Sequence, residues 1–249
     1  ISNMGINKND KWICIHNRDS NYLKKIHPNH DWSYHDYRNF SVNSLKSAAE
    51  FFASKGYFVL RMGHLPQEKF TTNDNRILDY ANSDYRNDFL DIFLLANCEF
   101  YFGGDSGPSD IAYTFMKPAY GVNFTSTLIS SGRSHLPWLF TFKRIKNLDN
   151  GKLLSLKEIL NSRFSSADNM EAFNKNNVLP IENSSKDIKS LAIEVEKERM
   201  GQKIEDKEDI IIQNKFWNIF FNYFNKEKMG SIQPKISPSF LRNNLDLLN

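Results

Sequence analysis

Short apolar runs that end abruptly in polar residues alternate with amphipathic segments through the first half of this chain. The runs are of the kind that is buried on both faces, and they predict strands near residues 11–16, 57–62, 98–103 and 119–123. Between them lie three segments with the apolar spacing of helices, at 41–56, 88–98 and 108–116. This alternation favours an α/β fold in which a Rossmann-like parallel sheet is flanked by helices.

The second half of the chain has fewer strand signals and longer amphipathic segments. Helices are predicted at 151–161, 184–200 and 208–225, the second of them beginning after Ser184 or Ser185. Residues 136–145 indicate a loop region, and the tail at 231–248, which contains Pro and Ser, is expected to be irregular.

These two patterns divide the chain. We expect a Rossmann-like domain over residues 1–150 and a helical C-terminal extension over residues 151–249. The sequence does not begin with Met, and its start lacks a signal peptide, so we expect a fragment or a mature product of a longer chain.

Composition excludes some classes of protein. With 40% apolar residues among 249, the chain can build a sizeable core, and a net charge of +3 without long runs of one sign does not indicate nucleic-acid binding. Cys14 and Cys98 lie in apolar segments, so we expect two buried free thiols and a cytoplasmic protein. No stretch approaches the roughly 18 continuous apolar residues of a membrane span.

The turn Gly104-Asp105-Ser106-Gly107-Pro108 raises the question of a nucleophilic serine. Trypsin-like proteases carry a similar run, but they are all-β and disulfide-bonded, whereas this turn lies between a predicted strand and a predicted helix. A nucleophile elbow does occupy such a turn, although its last glycine is Pro108 here and His135 lacks a convincing acidic partner. An α/β serine hydrolase therefore stays as the less favoured alternative.

The same turn fits an anion site better. A helix N-terminus that follows a buried strand presents backbone N–H groups and the positive end of the helix dipole. Gly103, Gly104 and Gly107 would let a phosphate approach the backbone, and Ser106 can cap the helix and donate a hydrogen bond. Arg18 follows another strand, at the sheet edge where open α/β sheets bind ligands. Together, the two elements predict a nucleotide-linked substrate.

A loop rich in histidine and aspartate, residues 27–36, invites comparison with a metal site. The spacing of His27, His30 and His35 matches no standard ligand pattern, and no Asp-x-Asp motif is present. We expect no metal site and metal-independent chemistry.

Several long blocks of the sequence resemble one known family. They occur in order over nearly the whole chain, as CIHNRDSNYL, DWSYHDYRNF, KGYFVLRMG, DYANSDYRNDFLDIFLLANC, FYFGGDSGPSDIAYTF, LPIENSSKDI and ISPSFLRNNLDLL. They are similar to bacterial glycosyltransferases found with cell-surface polysaccharide genes and, more distantly, to fucosyltransferase-like enzymes with two Rossmann lobes, the GT-B architecture.

The resemblance implies roles for particular residues. Arg18 would contact the diphosphate of a nucleotide-sugar donor, and His16 would brace its loop. Gly104, Ser106 and Gly107 would cradle phosphate, with Asp105 nearby. These residues would make 1–150 the nucleotide-sugar-binding, donor lobe of a GT-B glycosyltransferase. Family members also carry an N-terminal lobe before the CIHNRDS block, so the resemblance implies that such a lobe is missing here and that residues 151–249 pack on the donor lobe or on the missing one. The donor is a substrate, and no further cofactor is expected.

The resemblance also implies partners and leaves choices open. Asp19 stands where fucosyltransferases often carry a second basic residue, which argues against GDP-fucose. The acceptor would be a glycan or a lipid-linked molecule, which allows peripheral association with the inner face of the membrane. Arg18 would assist departure of the diphosphate, and Asp19 or Asp36 is the candidate base. A non-catalytic nucleotide- or glycan-binding module stays as an alternative to the enzyme.

Overall fold

A seven-stranded sheet organises the molecule, seen here in a computed structural model that describes residues 1–125, 139–165, 167–223 and 234–249. The sheet order is β3-β2-β1-β4-β5-β6-β9, and each neighbouring pair of strands is parallel. Its strands are β1 Trp12–His16, β2 Phe58–Arg61, β3 Ile77–Leu78, β4 Tyr101–Gly103, β5 Ala119–Phe124, β6 Leu139–Phe142 and β9 Lys235–Ile236. The predicted α/β class and parallel sheet are confirmed.

Helices connect and cover the strands. They are α1 Asn21–Ile26, α2 Lys46–Ser54, α3 Asp88–Asn97, α4 Gly107–Thr114, α5 Leu156–Asn161, α6 Met170–Lys175, α7 Ser185–Arg199, α8 Lys207–Phe221 and α9 Pro238–Asn243. Ser184 caps α7 by accepting a hydrogen bond from the backbone N–H of Asp187, which confirms the predicted start of that helix. Among the shorter elements, a 3-10 helix spans Ser33–Arg38.

Both faces of the sheet are buried, which explains why its strands lack polar alternation. On one face Ile13, Val59 and Phe100 contact a cluster that includes apolar side chains of α2 and α7. On the other face Cys14 and Leu60 belong to a cluster with α3 and α4. Cys14 and Cys98 are both buried free thiols, as expected.

The order of the sheet reverses at β1. The chain builds β1, β2 and β3 outward in one direction and then returns to place β4 on the other side of β1. Such a reversal opens a crevice between the carboxyl ends of the two strands, where sheets of this type bind ligands. His16 ends β1 and Gly103 ends β4, and the two residues are directly paired.

Two expectations for the second half of the chain are wrong. Residues 139–145, expected as loop, form β6 and the start of β7 (Arg144–Asn147), which pairs antiparallel with β8 (Val178–Ile181). The tail, expected to be irregular, supplies β9 and α9 in the part of it that the structure describes. β6 has only four residues, one of them Thr141, and β9 has two, so neither forms a long apolar run in the sequence.

Residues 151–249 are joined closely to the preceding part of the chain. Besides β9 in the sheet, α7 contributes Ile188, Leu191 and Val195 to the core cluster that covers β1, β2 and β4. A separate apolar cluster, which contains Phe216 and Phe220 of α8, packs against Phe140 and Phe142 of β6. The C-terminal helices therefore pack on the sheet itself.

Gly103 offers a test of the close approach of β1 and β4. A Cβ at this position would lie 2.2 Å from the backbone oxygen of His16, whereas a Cβ at Gly107 would meet nothing within 4 Å. We expect Gly103→Ala to lower the free energy of unfolding by about 3 kcal/mol or more and Gly107→Ala to change it little. Urea denaturation of both variants measures the difference, and equal stabilities would contradict the packing described here.

Candidate functional site

A cavity of about 480 Å³ occupies the crevice at the carboxyl ends of β1 and β4. Its walls come from the loops after β1 and β2, the 3-10 helix Ser33–Arg38, the inner side of α3 and the start of α4. Four arginines line it, and it is called the arginine cavity below: Arg18, Arg38, Arg61 and Arg86. The position matches the edge of the sheet that the sequence singled out.

Arg18 is held in place by its own neighbours. Its Nη1 donates to the backbone oxygen of His35 at 3.1 Å and to the side-chain oxygen of Asn39. Asn39 is oriented in turn because its amide nitrogen donates to Asp36 at 2.7 Å. Only 7% of Arg18 is exposed, and burial together with Arg38 lowers its pKa to about 10, so the guanidinium keeps its charge at neutral pH.

Each of the four arginines carries a buried nitrogen that has no hydrogen-bond partner among the described residues. The nitrogens are Nη2 of Arg18 and Nε of Arg38, Arg61 and Arg86. A buried donor without an acceptor costs free energy, and here the four residues that carry such donors all line one cavity. Their guanidinium groups give the cavity the positive charge that suits an anion with several oxygens.

Two of these arginines are also ion-paired. Arg61, which is 1% exposed, contacts Asp79 at 3.2 Å and donates to Asn17 at 3.2 Å. Arg86 bridges Asp88 and Asp91 at 2.8 and 2.6 Å. Arg18 and Arg38, in contrast, donate to neutral acceptors, Arg38 to Nδ1 of His35 at 2.8 Å. Among the described residues, Arg18 and Arg38 are therefore the cavity arginines without a direct ion pair, although the carboxylates of Asp36 and Asp19 lie near enough to Arg18 to act on its charge.

Ser106 and His16 form a hydrogen-bonded pair across the crevice. The Ser106 hydroxyl lies 2.9 Å from Nδ1 of His16, and both residues line the cavity. Ser106 also begins α4, where its backbone N–H donates to the Ser109 hydroxyl at 3.1 Å. The sequence indicated each residue separately but not the contact, which arises only because β1 and β4 are neighbours.

The surroundings keep His16 neutral. Burial, followed by the charges of Arg61 and Arg18, lowers its pKa to about 3. A general base in a serine triad needs a carboxylate that stabilises the imidazolium. His16 instead faces two guanidinium groups, so taking a proton from Ser106 is strongly disfavoured.

The glycines of the turn differ in what occupies the space where a side chain would be. A Cβ at Gly103 would collide with the backbone of His16, and one at Gly104 would lie 2.6 Å from the Phe40 ring. At both positions the space is filled by other parts of the protein and not left open to a ligand. Gly107 lines the cavity with open space where its side chain would be, so it is the glycine that leaves room for a ligand.

The aspartates that the sequence singled out lie at different distances from the cavity. Asp19 lines it, and its two oxygens accept the backbone N–H groups of Asn21 at 2.9 Å and Gln67 at 3.1 Å. Asp36 is not among the lining residues, and it accepts a hydrogen bond from the side-chain amide of Asn39. Asp105 is buried, 7% exposed, and is likewise outside the lining.

An aromatic wall faces the arginines. Trp32 and His35 both line the cavity, with their rings nearly parallel and 6.2 Å apart. Tyr22 and His64 line another part of it and contact each other at 5.5 Å between ring centroids. Flat apolar faces beside buried guanidinium groups suit a ligand that combines an aromatic ring with phosphate.

Sequence reasoning missed the residues that complete the site. Arg61 could have been found, since it ends a predicted strand as Arg18 nearly does. Arg38 ends a short 3-10 helix and Arg86 lies in a loop, and the path of these two segments was unknown. Lys143 was also missed; it is 3% exposed, and its Nζ donates to the backbone oxygens of Tyr37 at 3.0 Å and Asn39 at 2.5 Å. Lys143 thereby fixes the segment that holds Arg18, and burial lowers its pKa to about 8.

Two searches limited to the described ranges complete the description. Within them, no group of three His, Cys, Asp or Glu side chains could hold a metal ion. None of the helices within them combines the length and apolar character needed to cross a bilayer. His135, considered above with the serine hydrolase, lies outside the described residues.

Comparison of the chain with protein families, with curated proteins and with solved structures finds no match in any of the three. The class of the protein follows from its fold and site alone: an α/β protein with a basic, aromatic-walled cavity at the reversal point of a parallel sheet.

The neutral state of His16 predicts a dependence of stability on pH. In the unfolded chain His16 has its ordinary pKa of 6.5, and in the folded protein about 3. Between these values the unfolded state binds a proton that the folded state does not, so the free energy of unfolding falls as the pH falls below 6.5. The slope from this one residue is at most about 1.4 kcal/mol per pH unit.

We expect His16→Asn, which can still contact Ser106, to lose stability less steeply than the wild type between pH 6.5 and pH 4.5. Urea denaturation at several pH values measures both slopes. Parallel curves for the two proteins would contradict a buried, neutral His16.

Proposed function

We propose that the arginine cavity binds the diphosphate of a nucleotide sugar and that the chain is a glycosyltransferase or its donor-binding lobe. The observation that carries the proposal is the set of four arginines that line one cavity at the carboxyl ends of β1 and β4. A diphosphate presents several charged oxygens in the compact arrangement that such a set requires.

Further features of the cavity support a nucleotide in particular. Ser106, Gly107 and the N-terminus of α4 add neutral donors and a helix dipole beside the arginines. The aromatic wall of Trp32 and His35 offers a surface for a base. The transferred sugar is proposed from the resemblance to bacterial glycosyltransferases of cell-surface polysaccharides, with a glycan or lipid-linked acceptor on the cytoplasmic side of the membrane.

In the proposed reaction an acceptor hydroxyl attacks the anomeric carbon while the bond from that carbon to the diphosphate oxygen breaks. The leaving diphosphate takes the electron pair, and Arg18 with its neighbours stabilises the charge that develops there. Asp19 takes the proton of the hydroxyl. We favour Asp19 over Asp36 because only Asp19 lines the cavity, and each of its oxygens has a second lone pair beyond the one that accepts a backbone N–H.

The serine hydrolase is a second candidate because Ser106 lies 2.9 Å from His16. Its weakness is the low pKa of that histidine, which leaves the serine without an effective base at neutral pH. The non-catalytic binding module is the third candidate, and it differs from the enzyme only in lacking transfer. A transfer assay with the bound donor distinguishes this module from the glycosyltransferase.

Binding of nucleoside diphosphates tests the proposal directly. We expect UDP, GDP, CDP or ADP to raise the melting temperature and to give a measurable Kd in calorimetry. Ser106→Ala should weaken binding of that nucleotide by about 1–2 kcal/mol, the scale of a hydrogen bond to a charged group. Arg18→Lys should weaken it by a similar amount or more, because Lys lacks the planar fork of the guanidinium group. Ser54→Ala serves as the control serine variant, since Ser54 is exposed and lies outside the cavity lining. Failure of all four nucleotides to bind the wild type would refute the proposal.

A fluorophosphonate probe separates the transferase from the hydrolase. Such probes label serines that a base activates, and the neutral His16 should leave Ser106 unreactive. We expect no labelling at Ser106 by mass spectrometry at pH 7.5, with a commercial serine hydrolase as the positive control. Stoichiometric labelling that Ser106→Ala abolishes would establish the hydrolase instead.

A further inference from the structure

A second cavity lies beside the arginine cavity and differs from it in chemistry. Its volume is about 240 Å³, half that of its neighbour, and the two share Asn17 and Asp19. The remaining lining comes from Asn39, Phe40, Ser41, Gln67 and Glu68. It is called the polar cavity below. At this size it is small for a separate ligand of ordinary dimensions, which suggests one compartment of a larger site.

The charge of the polar cavity is opposite to that of the arginine cavity. None of the described residues that line it is basic, and it carries the carboxylates of Asp19 and Glu68. A third carboxylate, Glu182, accepts the backbone N–H of Ser41 at 3.0 Å. A phosphate group would be repelled here, so the part of a ligand that enters must be uncharged or cationic.

The side chains of the polar cavity are those that bind hydroxyl groups. Carboxylate oxygens accept from O–H donors, whereas amide and hydroxyl groups both donate and accept. Asn17, Ser41, Gln67 and Glu68 provide all three kinds, and Phe40 adds an aromatic ring. This mixture fits a sugar ring, which has several hydroxyl groups that each donate and accept and an apolar C–H surface.

The walls of the polar cavity are fixed before any ligand enters. Asp19 accepts the backbone N–H of Gln67 at 3.1 Å, and Asn17 donates to the backbone oxygen of Phe40 at 2.9 Å. The Ser41 hydroxyl donates to Glu68 at 3.2 Å. Two separate loops are thereby joined around the space, and a preorganised site binds with a smaller loss of conformational entropy.

We propose that the polar cavity is a sugar-binding subsite that holds a pyranose ring next to the diphosphate in the arginine cavity. The inference rests on the proposed function. It adds the residues that would contact the sugar, Gln67 and Glu68 above all, and it places Asp19 at the junction between the two compartments. The ring is either the one carried by the nucleotide or one that belongs to a separate acceptor.

The experiment compares a double variant with a matched control. Gln67→Ala with Glu68→Ala removes two exposed side chains of the subsite, and Glu50→Ala with Gln202→Ala removes two exposed side chains of the same types elsewhere. Calorimetry measures the Kd of UDP, GDP, CDP and ADP and of the matching nucleotide hexoses. Saturation-transfer NMR measures binding of methyl glucoside, galactoside and mannoside, with and without the nucleotide that binds.

If the ring belongs to the donor, the subsite variant should raise the Kd of the nucleotide hexose about tenfold and leave that of the nucleoside diphosphate within twofold. If the ring belongs to the acceptor, the variant should lose the glycoside signal that the wild type and the control variant give. The subsite is refuted if the wild type binds no sugar in either form, or if the two double variants bind sugars equally.

The two proposals fail in different ways. Absence of nucleoside diphosphate binding in the wild type counts against the proposed function, and the free glycosides still test the polar cavity in that case. If nucleoside diphosphates bind but the double variant at Gln67 and Glu68 binds sugars as well as the wild type does, only the subsite is refuted.

Discussion

The close approach of β1 and β4 at Gly103 is the constraint on which the site depends. A side chain at Gly103 would strike the backbone of His16, so the two strands can pair at their carboxyl ends only with glycine there. That pairing sets His16 opposite the start of α4 and brings its ring within hydrogen-bond distance of Ser106. The crevice, the neutral histidine and the helix N-terminus are consequences of one backbone contact at the point where the order of the sheet reverses.

Around this crevice the protein carries an electrostatic cost. Four arginines are gathered at one cavity, and each has a buried nitrogen without an acceptor in the described parts of the chain. An unsatisfied buried donor costs about 1–3 kcal/mol, and a lysine, Lys143, adds a further buried charge that fixes the segment behind Arg18. Like charges gathered at one cavity also repel each other, and a bound anion would relieve that repulsion.

The sequence predicted those features that depend on local pattern. The four central strands, the helices between them and the importance of Arg18 and Ser106 all follow from apolar runs and the residues that end them. Five strands in the described ranges were not predicted. β3 and β9 have only two residues each, and β6, β7 and β8 have four, which is too short for a clear apolar pattern. Arg38, Arg86 and Lys143 were not predicted for another reason. They come to the site through loops and through the packing of distant segments against each other, and no spacing in the sequence indicates such packing.

Asp19 is the base in the proposed reaction, and it lies in the same cavity as several guanidinium groups. A carboxylate in such surroundings tends to form an ion pair with the nearest arginine, which occupies its oxygens. The oxygens of Asp19 instead accept the backbone N–H groups of Asn21 and Gln67, which hold them in a fixed direction. Arg18 is turned towards Asn39 and the backbone of His35. The loops after β1 and β2 thus keep acid and cation apart at one edge of the sheet, so that charge of both signs is available where a leaving group and an attacking hydroxyl would meet.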